Sequence, residues 1–77
     1  MESYTLYTKD NCPACITATE LLEVNNMVYD KLLLDKDFNI IELYEVVPRS
    51  TRSFPCILKN GVFIGGLKEL KQDLGVM

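Results

Sequence analysis

Two cysteines, Cys12 and Cys15, lie where a strand-like stretch of the sequence gives way to a helix-like one. The residues Ser3–Thr8 are rich in β-branched and aromatic side chains, which predicts a β-strand. From Pro13 onward apolar residues recur at helical spacing, and proline is favoured in the first turn of a helix. The pattern therefore predicts a C-x-x-C pair at the beginning of a helix, directly after a strand.

Cysteine content narrows the chemistry that this pair can perform. The chain has 77 residues, three cysteines and no histidine. An odd cysteine count argues against a secreted disulfide scaffold, so we expect a cytoplasmic protein. A zinc site usually needs four ligands, which this chain alone does not offer. Redox chemistry, a metal shared with another molecule, and coincidence remain as explanations of the pair.

The position of the pair favours redox chemistry. Residues three apart on a helix are neighbours, so the Cα atoms should lie near the ~5.5 Å that a disulfide prefers. Amide groups at a helix N-terminus stabilise a thiolate, and Lys9 adds a positive charge nearby. We predict that Cys12 is the exposed attacking thiol and Cys15 the sheltered resolving thiol. Two buried structural cysteines are the alternative, but these do not require a strand end, a proline and a lysine around them.

The rest of the chain adds three strands and two helices to the first strand and helix. We predict strands at 28–34, 54–58 and 62–64 and helices at 38–47 and 67–74, with Asp37 capping the helix at 38–47. Asn60-Gly61 predicts a tight hairpin turn. The order β-α-β-α-β-β-α with a right-handed crossover predicts an α/β protein. Specifically, it predicts the compact thioredoxin fold, a four-stranded mixed sheet with three helices in a single domain, 1–77.

Charge and hydropathy exclude two classes of partner. The formal net charge is -3, and no dense stripe of basic residues is present. Nucleic-acid affinity depends largely on phosphate neutralisation, so we expect no nucleic-acid partner. No apolar run approaches the ~18–20 residues of a membrane helix, so we expect no membrane partner.

Four short motifs, in order and over nearly the whole chain, resemble those of the glutaredoxin family. They are Tyr7-Thr8-Lys9, Cys12-Pro13-Ala14-Cys15, Ser53-Phe54-Pro55 and Gly65-Gly66. In size the chain is most similar to small dithiol members, including phage-encoded ones. The resemblance implies a cis-proline at Pro55, glutathione as co-substrate, and no bound cofactor or metal. It further implies a monomer that reduces protein disulfides and glutathione mixed disulfides, with ribonucleotide reductase as one recipient of electrons.

The resemblance also implies a glutathione site. Its residues would be Lys9, Arg52, Phe54, Pro55, Gly65 and Gly66. The Phe54 backbone would pair with the extended ligand, as in strand addition. Lys9, Arg52 and Arg49 are candidates for the glycyl carboxylate, and the Gly65 and Gly66 N–H groups for the γ-glutamyl carboxylate.

Departures from the family pattern keep two alternatives open. Ala14 replaces the usual aromatic residue, and Lys68 stands where the family presents an acid to glutathione's ammonium group. Both favour a redoxin that is reduced by thioredoxin reductase. A non-catalytic dimer holding an iron–sulfur cluster is the second alternative, which Pro13 disfavours by stiffening the loop. The third cysteine, Cys56, is predicted to be a core residue.

Overall fold

The computed structural model describes residues 2–48, 51 and 53–76. Within them the chain forms four strands and three helices in the predicted order. The strands are β1 (Ser3–Thr8), β2 (Val28–Leu33), β3 (Cys56–Lys59) and β4 (Val62–Gly65), and the helices are α1 (Pro13–Val24), α2 (Ile40–Leu43) and α3 (Leu67–Leu74).

The strands form one mixed sheet in the order β2-β1-β3-β4. β1 and β2 are parallel, whereas β3 is antiparallel to both β1 and β4. This arrangement confirms the predicted α/β class and the compact thioredoxin fold. β2 and β4 form the two edges of the sheet.

Alternation along the central strands divides the core between the two sheet faces. One cluster contains Ile57 with residues of β1, α1 and α3: Tyr4, Leu6, Ala18, Leu22 and Leu70. The other contains Cys56 and Leu58 with Phe38, Leu43 and Val47, from α2 and its flanks. Helices therefore cover both faces, and β1 and β3 are held between them.

The second helix differs from its prediction. We predicted a helix over 38–47 capped by Asp37, but α2 covers Ile40–Leu43 and its N-cap is Asn39. Asn39 accepts a hydrogen bond from the Glu42 N–H (2.8 Å), and the Glu42 carboxylate accepts one from the Asn39 N–H (3.0 Å). This reciprocal capping box outcompetes Asp37, whose carboxylate instead accepts a hydrogen bond from the Leu33 N–H (2.9 Å).

Other boundaries agree closely with the sequence pattern. α1 begins at Pro13, as predicted, and ends at Val24 with Asn25 as its C-cap. Both residues of the Asn60-Gly61 turn have positive φ, 52° and 83°, as a tight hairpin turn requires. The third strand begins at Cys56 and not at Phe54. None of the helices in the described residues has the length and apolar character needed to cross a membrane.

Candidate active site

The dithiol occupies the first turn of α1. Cys12 is the N-cap, and Asn11 before it has a positive φ of 55°, so the chain turns sharply out of β1 into the helix. Cys12 and Cys15 form a disulfide with a Cα–Cα distance of 5.2 Å. The Cys15 N–H donates to the Cys12 Sγ over 3.2 Å. A helix amide is therefore directed at the sulfur that we predict to be the nucleophile.

Both cysteines of the dithiol are buried, and Cys15 is the more buried of the two. Cys12 is 7% exposed and Cys15 is 2% exposed. Cys12 was predicted to be exposed, and that is wrong, because it is buried in this disulfide-bonded form. Cys12 is still the more accessible of the two.

A cis-proline directly precedes β3, the strand that pairs with β1. The Phe54–Pro55 peptide bond is cis, as the family resemblance implied. Pro55 is buried and Phe54 half-buried. Cys56, the next residue, pairs with Tyr7 across the β1–β3 ladder. The loop carrying the dithiol and the loop carrying the cis-proline therefore emerge at the same edge of the sheet.

Two of the predicted glutathione residues contact each other across these loops. The Lys9 ammonium lies 5.7 Å from the centroid of the Phe54 ring, a cation–π geometry. Lys9 is exposed, so its remaining N–H donors face water. This places one positive charge at the edge of the dithiol region.

The glycine pair lies beside the cis-proline, but one of its donors is already engaged. A Cβ built on Gly66 would meet the Pro55 carbonyl oxygen at 3.2 Å, so only a residue without a side chain fits there easily. The Gly66 N–H donates to the Glu69 carboxylate over 2.8 Å. This hydrogen bond is the main cause that holds the pKa of Glu69 below its ordinary value. In this arrangement the Gly66 N–H is committed to α3 capping.

Gly65 is close to the same carboxylate. Its φ is +131°, and a Cβ there would come within 2.6 Å of the Glu69 Oε1. The backbone angle favours glycine at position 65, and a side chain there would displace that of Glu69.

A cavity of about 400 Å³ adjoins the dithiol on the β2 side of the sheet. Among the predicted glutathione residues, Lys9 lines it, and the cis-proline and the glycine pair do not. Its β2-side lining, which no motif indicated, consists of Lys31, Leu33, Lys36 and Asp37. The parallel pairing of β1 and β2 explains the cavity, because the carboxyl ends of both strands meet at this edge. The remaining glutathione candidate, Arg52, lies outside the described residues, as does Arg49.

Cys56 is a core residue, as predicted. It is 1% exposed, and its thiol donates to the Ser53 carbonyl over 3.4 Å. Desolvation by burial raises the pKa of this thiol to about 11, so it stays protonated near neutral pH. Cys56 therefore has none of the features of an attacking thiolate.

The sheet order, the C-x-x-C at the beginning of α1 and the cis-proline directly before β3 together define a thioredoxin-fold protein with a redox-type dithiol. Comparison with protein families gives the particular branch. The glutaredoxin family model matches residues 4–64, which include the dithiol, the cis-proline and both central strands. The chain belongs to the glutaredoxin family, and this membership supports assignment to the thiol–disulfide oxidoreductases.

Individual relatives agree with this assignment. The chain is 31% identical over 71 residues to the hybrid peroxiredoxin hyPrx5 of Haemophilus influenzae, covering 92% of this chain and 29% of that protein. The chain thus spans less than a third of that longer relative. Glutaredoxin 1 of Francisella tularensis, solved with cacodylate, matches with a TM-score of 0.79 and 26% identity, over 97% of this chain and 94% of that one.

A plant structure shares the fold. The buckwheat glutaredoxin–glutathione complex matches with a TM-score of 0.76 and 20% identity, over 96% of this chain and 71% of that one.

Proposed function

We propose that this protein is a glutathione-dependent dithiol oxidoreductase that reduces protein disulfides and glutathione mixed disulfides. The observation that carries the proposal is the Cys12 Sγ at the N-cap of α1, accepting a hydrogen bond from the Cys15 N–H over 3.2 Å. Amide donors and the helix dipole stabilise a thiolate at this position. In the reduced protein, Cys12 is therefore the cysteine whose thiolate form is stabilised most.

The proposed reduction consists of two exchange steps. The Cys12 thiolate attacks one sulfur of the target disulfide, forms a mixed disulfide and releases the other sulfur as a thiolate. The Cys15 thiolate then attacks the Cys12 sulfur, which releases the second target thiolate and leaves the Cys12–Cys15 disulfide. Two electrons have passed from the dithiol to the target.

Two glutathione molecules complete the proposed cycle. The thiolate of the first attacks Cys12, forms a mixed disulfide there and frees Cys15. The second attacks the sulfur of the bound glutathione, releases the Cys12 thiolate and departs as glutathione disulfide. Glutathione is thus a co-substrate, and the proposed reaction uses no bound cofactor or metal.

The surroundings of the dithiol support glutathione as the reductant. The Lys9 ammonium offers a partner for the glycyl carboxylate, and the Phe54 backbone at the cis-proline offers strand-like hydrogen bonds. The same fold accommodates glutathione in the buckwheat glutaredoxin. Roles for Arg52, Pro55, Gly65 and Gly66 in this site are part of the proposal.

The setting of the reaction follows from the same chemistry. A dithiol reduced by glutathione works where the glutathione pool is kept reduced, so we propose a cytoplasmic location. We further propose that the protein acts as a monomer and donates electrons to disulfide-containing proteins, with ribonucleotide reductase as one candidate.

A coupled turnover assay tests the reductant. NADPH oxidation is followed with glutathione and glutathione reductase in one series, and with thioredoxin reductase alone in the other. We expect turnover in the first series and none in the second, with Cys12→Ser as the inactive control. Turnover in the thioredoxin reductase series only would refute glutathione dependence while leaving dithiol exchange intact.

One observation favours a second candidate function, a redoxin reduced by thioredoxin reductase. The Gly66 N–H, a predicted donor to the γ-glutamyl carboxylate, already donates to Glu69 over 2.8 Å. A ligand carboxylate must displace Glu69 or forgo this donor, which weakens that end of a glutathione site. The two assay series distinguish the candidates.

A further inference from the structure

Phe54 links the two loops that flank the dithiol through its contact with Lys9. Lys9 directly follows β1, and Phe54 directly precedes Pro55 at the start of β3. The Lys9 Nζ lies 5.7 Å from the centroid of the Phe54 ring. That distance is inside the ~6 Å within which a cation is attracted to an aromatic face.

We propose that Phe54 is a positioning residue, whose ring holds the Lys9 ammonium at the edge of the site for the glycyl carboxylate of glutathione. This inference rests on the proposed function, and it assigns the Phe54 side chain a task separate from that of its backbone. The task concerns recognition of glutathione and not the exchange chemistry at sulfur.

The ring is suited to this task because the core fixes it. Phe54 is half-buried and packs against the cluster formed by Phe38, Leu43, Val47, Cys56 and Leu58. A ring anchored in this way presents a constant surface to the lysine. Lys9 itself is exposed, and a lysine side chain loses rotamer entropy when it binds a ligand. Contact with a fixed ring already restricts the lysine before the ligand binds, so less rotamer entropy is lost on binding.

No carboxylate in the described part of the chain competes for the Lys9 ammonium. The ion pairs found there join Lys59 to Glu2 and to Asp73. A cation–π contact leaves the lysine charged and its N–H donors available, whereas an internal salt bridge would neutralise it. Lys9 is therefore both held in place and able to receive a ligand carboxylate.

A double-mutant cycle tests the proposal. Phe54→Leu keeps an apolar side chain but removes the π face, and Lys9→Met removes the cation at similar length. We expect Phe54→Leu to raise KM for a glutathione–cysteine mixed disulfide by about 2–5-fold with kcat unchanged, the effect of an exposed cation–π contact. In the Lys9→Met background, Phe54→Leu should have no further effect on KM.

Two further variants separate positioning from packing. Phe54→Tyr retains the ring face, so its KM should stay within about twofold of that of the original chain. Phe63→Leu is the matched control, since Phe63 is also half-buried and packs against the same cluster. It should leave KM unchanged. If Phe54→Leu fails to fold, judged by near-UV circular dichroism, Phe54→Met replaces it in the cycle.

The outcomes distinguish this inference from the proposed function. An equal rise in KM from Phe54→Leu with and without Lys9 would overturn the inference, as would a loss confined to kcat. In either case the original chain still turns over with glutathione. Absence of glutathione turnover in the original chain would refute the proposed function itself and, with it, the role of Lys9.

Discussion

The backbone N–H of Cys15 donates to the Sγ of Cys12 over 3.2 Å. The more buried cysteine thus provides, through its amide, a hydrogen bond to the sulfur of the less buried one. The two side chains are thereby given different tasks by one turn of helix. Cys12 lies at the end of α1 where amides point outward, whereas Cys15 lies on the buried face with Ala18 and Leu22.

Substitution of each cysteine should separate these tasks. We expect Cys12→Ser to abolish all exchange activity, because no other thiol has helix amides directed at it. Cys15→Ser should lose protein-disulfide reduction and retain part of the deglutathionylation, in which Cys12 alone reacts. Insulin reduction and the glutathione-coupled assay measure the two activities. A Cys15→Ser variant that lost both, beside a Cys12→Ser variant that kept either, would reverse the assignment.

Cys56 should matter for stability and not for turnover. We expect Cys56→Ala to reduce the free energy of unfolding by about 1–2 kcal/mol, the effect of trimming a small buried side chain, and to leave turnover nearly unchanged. Denaturant unfolding and the coupled assay give the two quantities. A large loss of turnover at unchanged stability would make Cys56 a redox participant.

The raised pKa of Cys56 adds a labelling prediction. Because that pKa is about 11, iodoacetamide at pH 7 should alkylate Cys12 of the reduced native protein and spare Cys56 until the chain is unfolded. Peptide mass mapping locates the label. Rapid labelling of Cys56 in the native protein would contradict its burial.

A hydrogen-bond network of Tyr4, Lys59 and Asp73 should make the free energy of unfolding depend on pH. The Tyr4 hydroxyl donates to the Asp73 carboxylate, and this bond, followed by that from Lys59, lowers the pKa of Asp73. A lowered folded-state pKa stabilises the fold above the unfolded value, 3.8 for Asp, and this contribution is lost as pH falls through the folded value. We expect Asp73→Asn to flatten the decline of unfolding free energy below about pH 4. An unchanged acid limb would contradict the network's role.

The Glu69 carboxylate should stabilise α3. Removing its hydrogen bond from the Gly66 N–H by Glu69→Ala should cost about 0.3–1.5 kcal/mol of unfolding free energy. Glu42→Ala is the matched control, because Glu42 caps α2 in the same way from Asn39. Thermal unfolding of the two variants compares the caps. No loss in Glu69→Ala would mean that the Gly66 N–H finds another acceptor, and the donor would then be open to a ligand.

Lys68 tests the ammonium end of the proposed glutathione site. Its side chain is exposed at the first turn of α3, where the family presents an acid. We expect Lys68→Asp to lower KM for a glutathionylated substrate by no more than several-fold with little change in kcat, as for a surface charge of ~0.2–1 kcal/mol. A raised KM would show that Lys68 contacts a glutathione carboxylate.

The sequence predicted those parts of the fold that local chemistry determines. Pro13 at the helix start and the Asn60-Gly61 turn each have a residue-level cause, and both were placed correctly. The second helix was misplaced because Asp37 and Asn39 are both good N-caps. Only the partner of each side chain, the Leu33 amide or the Glu42 amide, decides between them.

The site was predictable only where a motif carried it. The dithiol and the cis-proline followed from Cys12-Pro13-Ala14-Cys15 and from the resemblance at Pro55. The hydrogen bond from the Gly66 N–H to the Glu69 carboxylate depends on the rotamer of Glu69, which the spacing of residues in the sequence does not specify. The cavity beside Lys31 and Lys36 depends on strand register, which no local pattern encodes.

The pairing of Tyr7 with Cys56 brings together two parts of the candidate site that are far apart in the sequence. The disulfide closes a loop of minimal length, so a nascent chain or a fragment containing β1 and α1 alone already holds both thiols within reach of each other. The other side of the candidate site, with Phe54 and Pro55, forms only when β3 pairs with β1. A chain truncated before β3 would consequently keep the dithiol and lack the part of the site that we propose recognises glutathione.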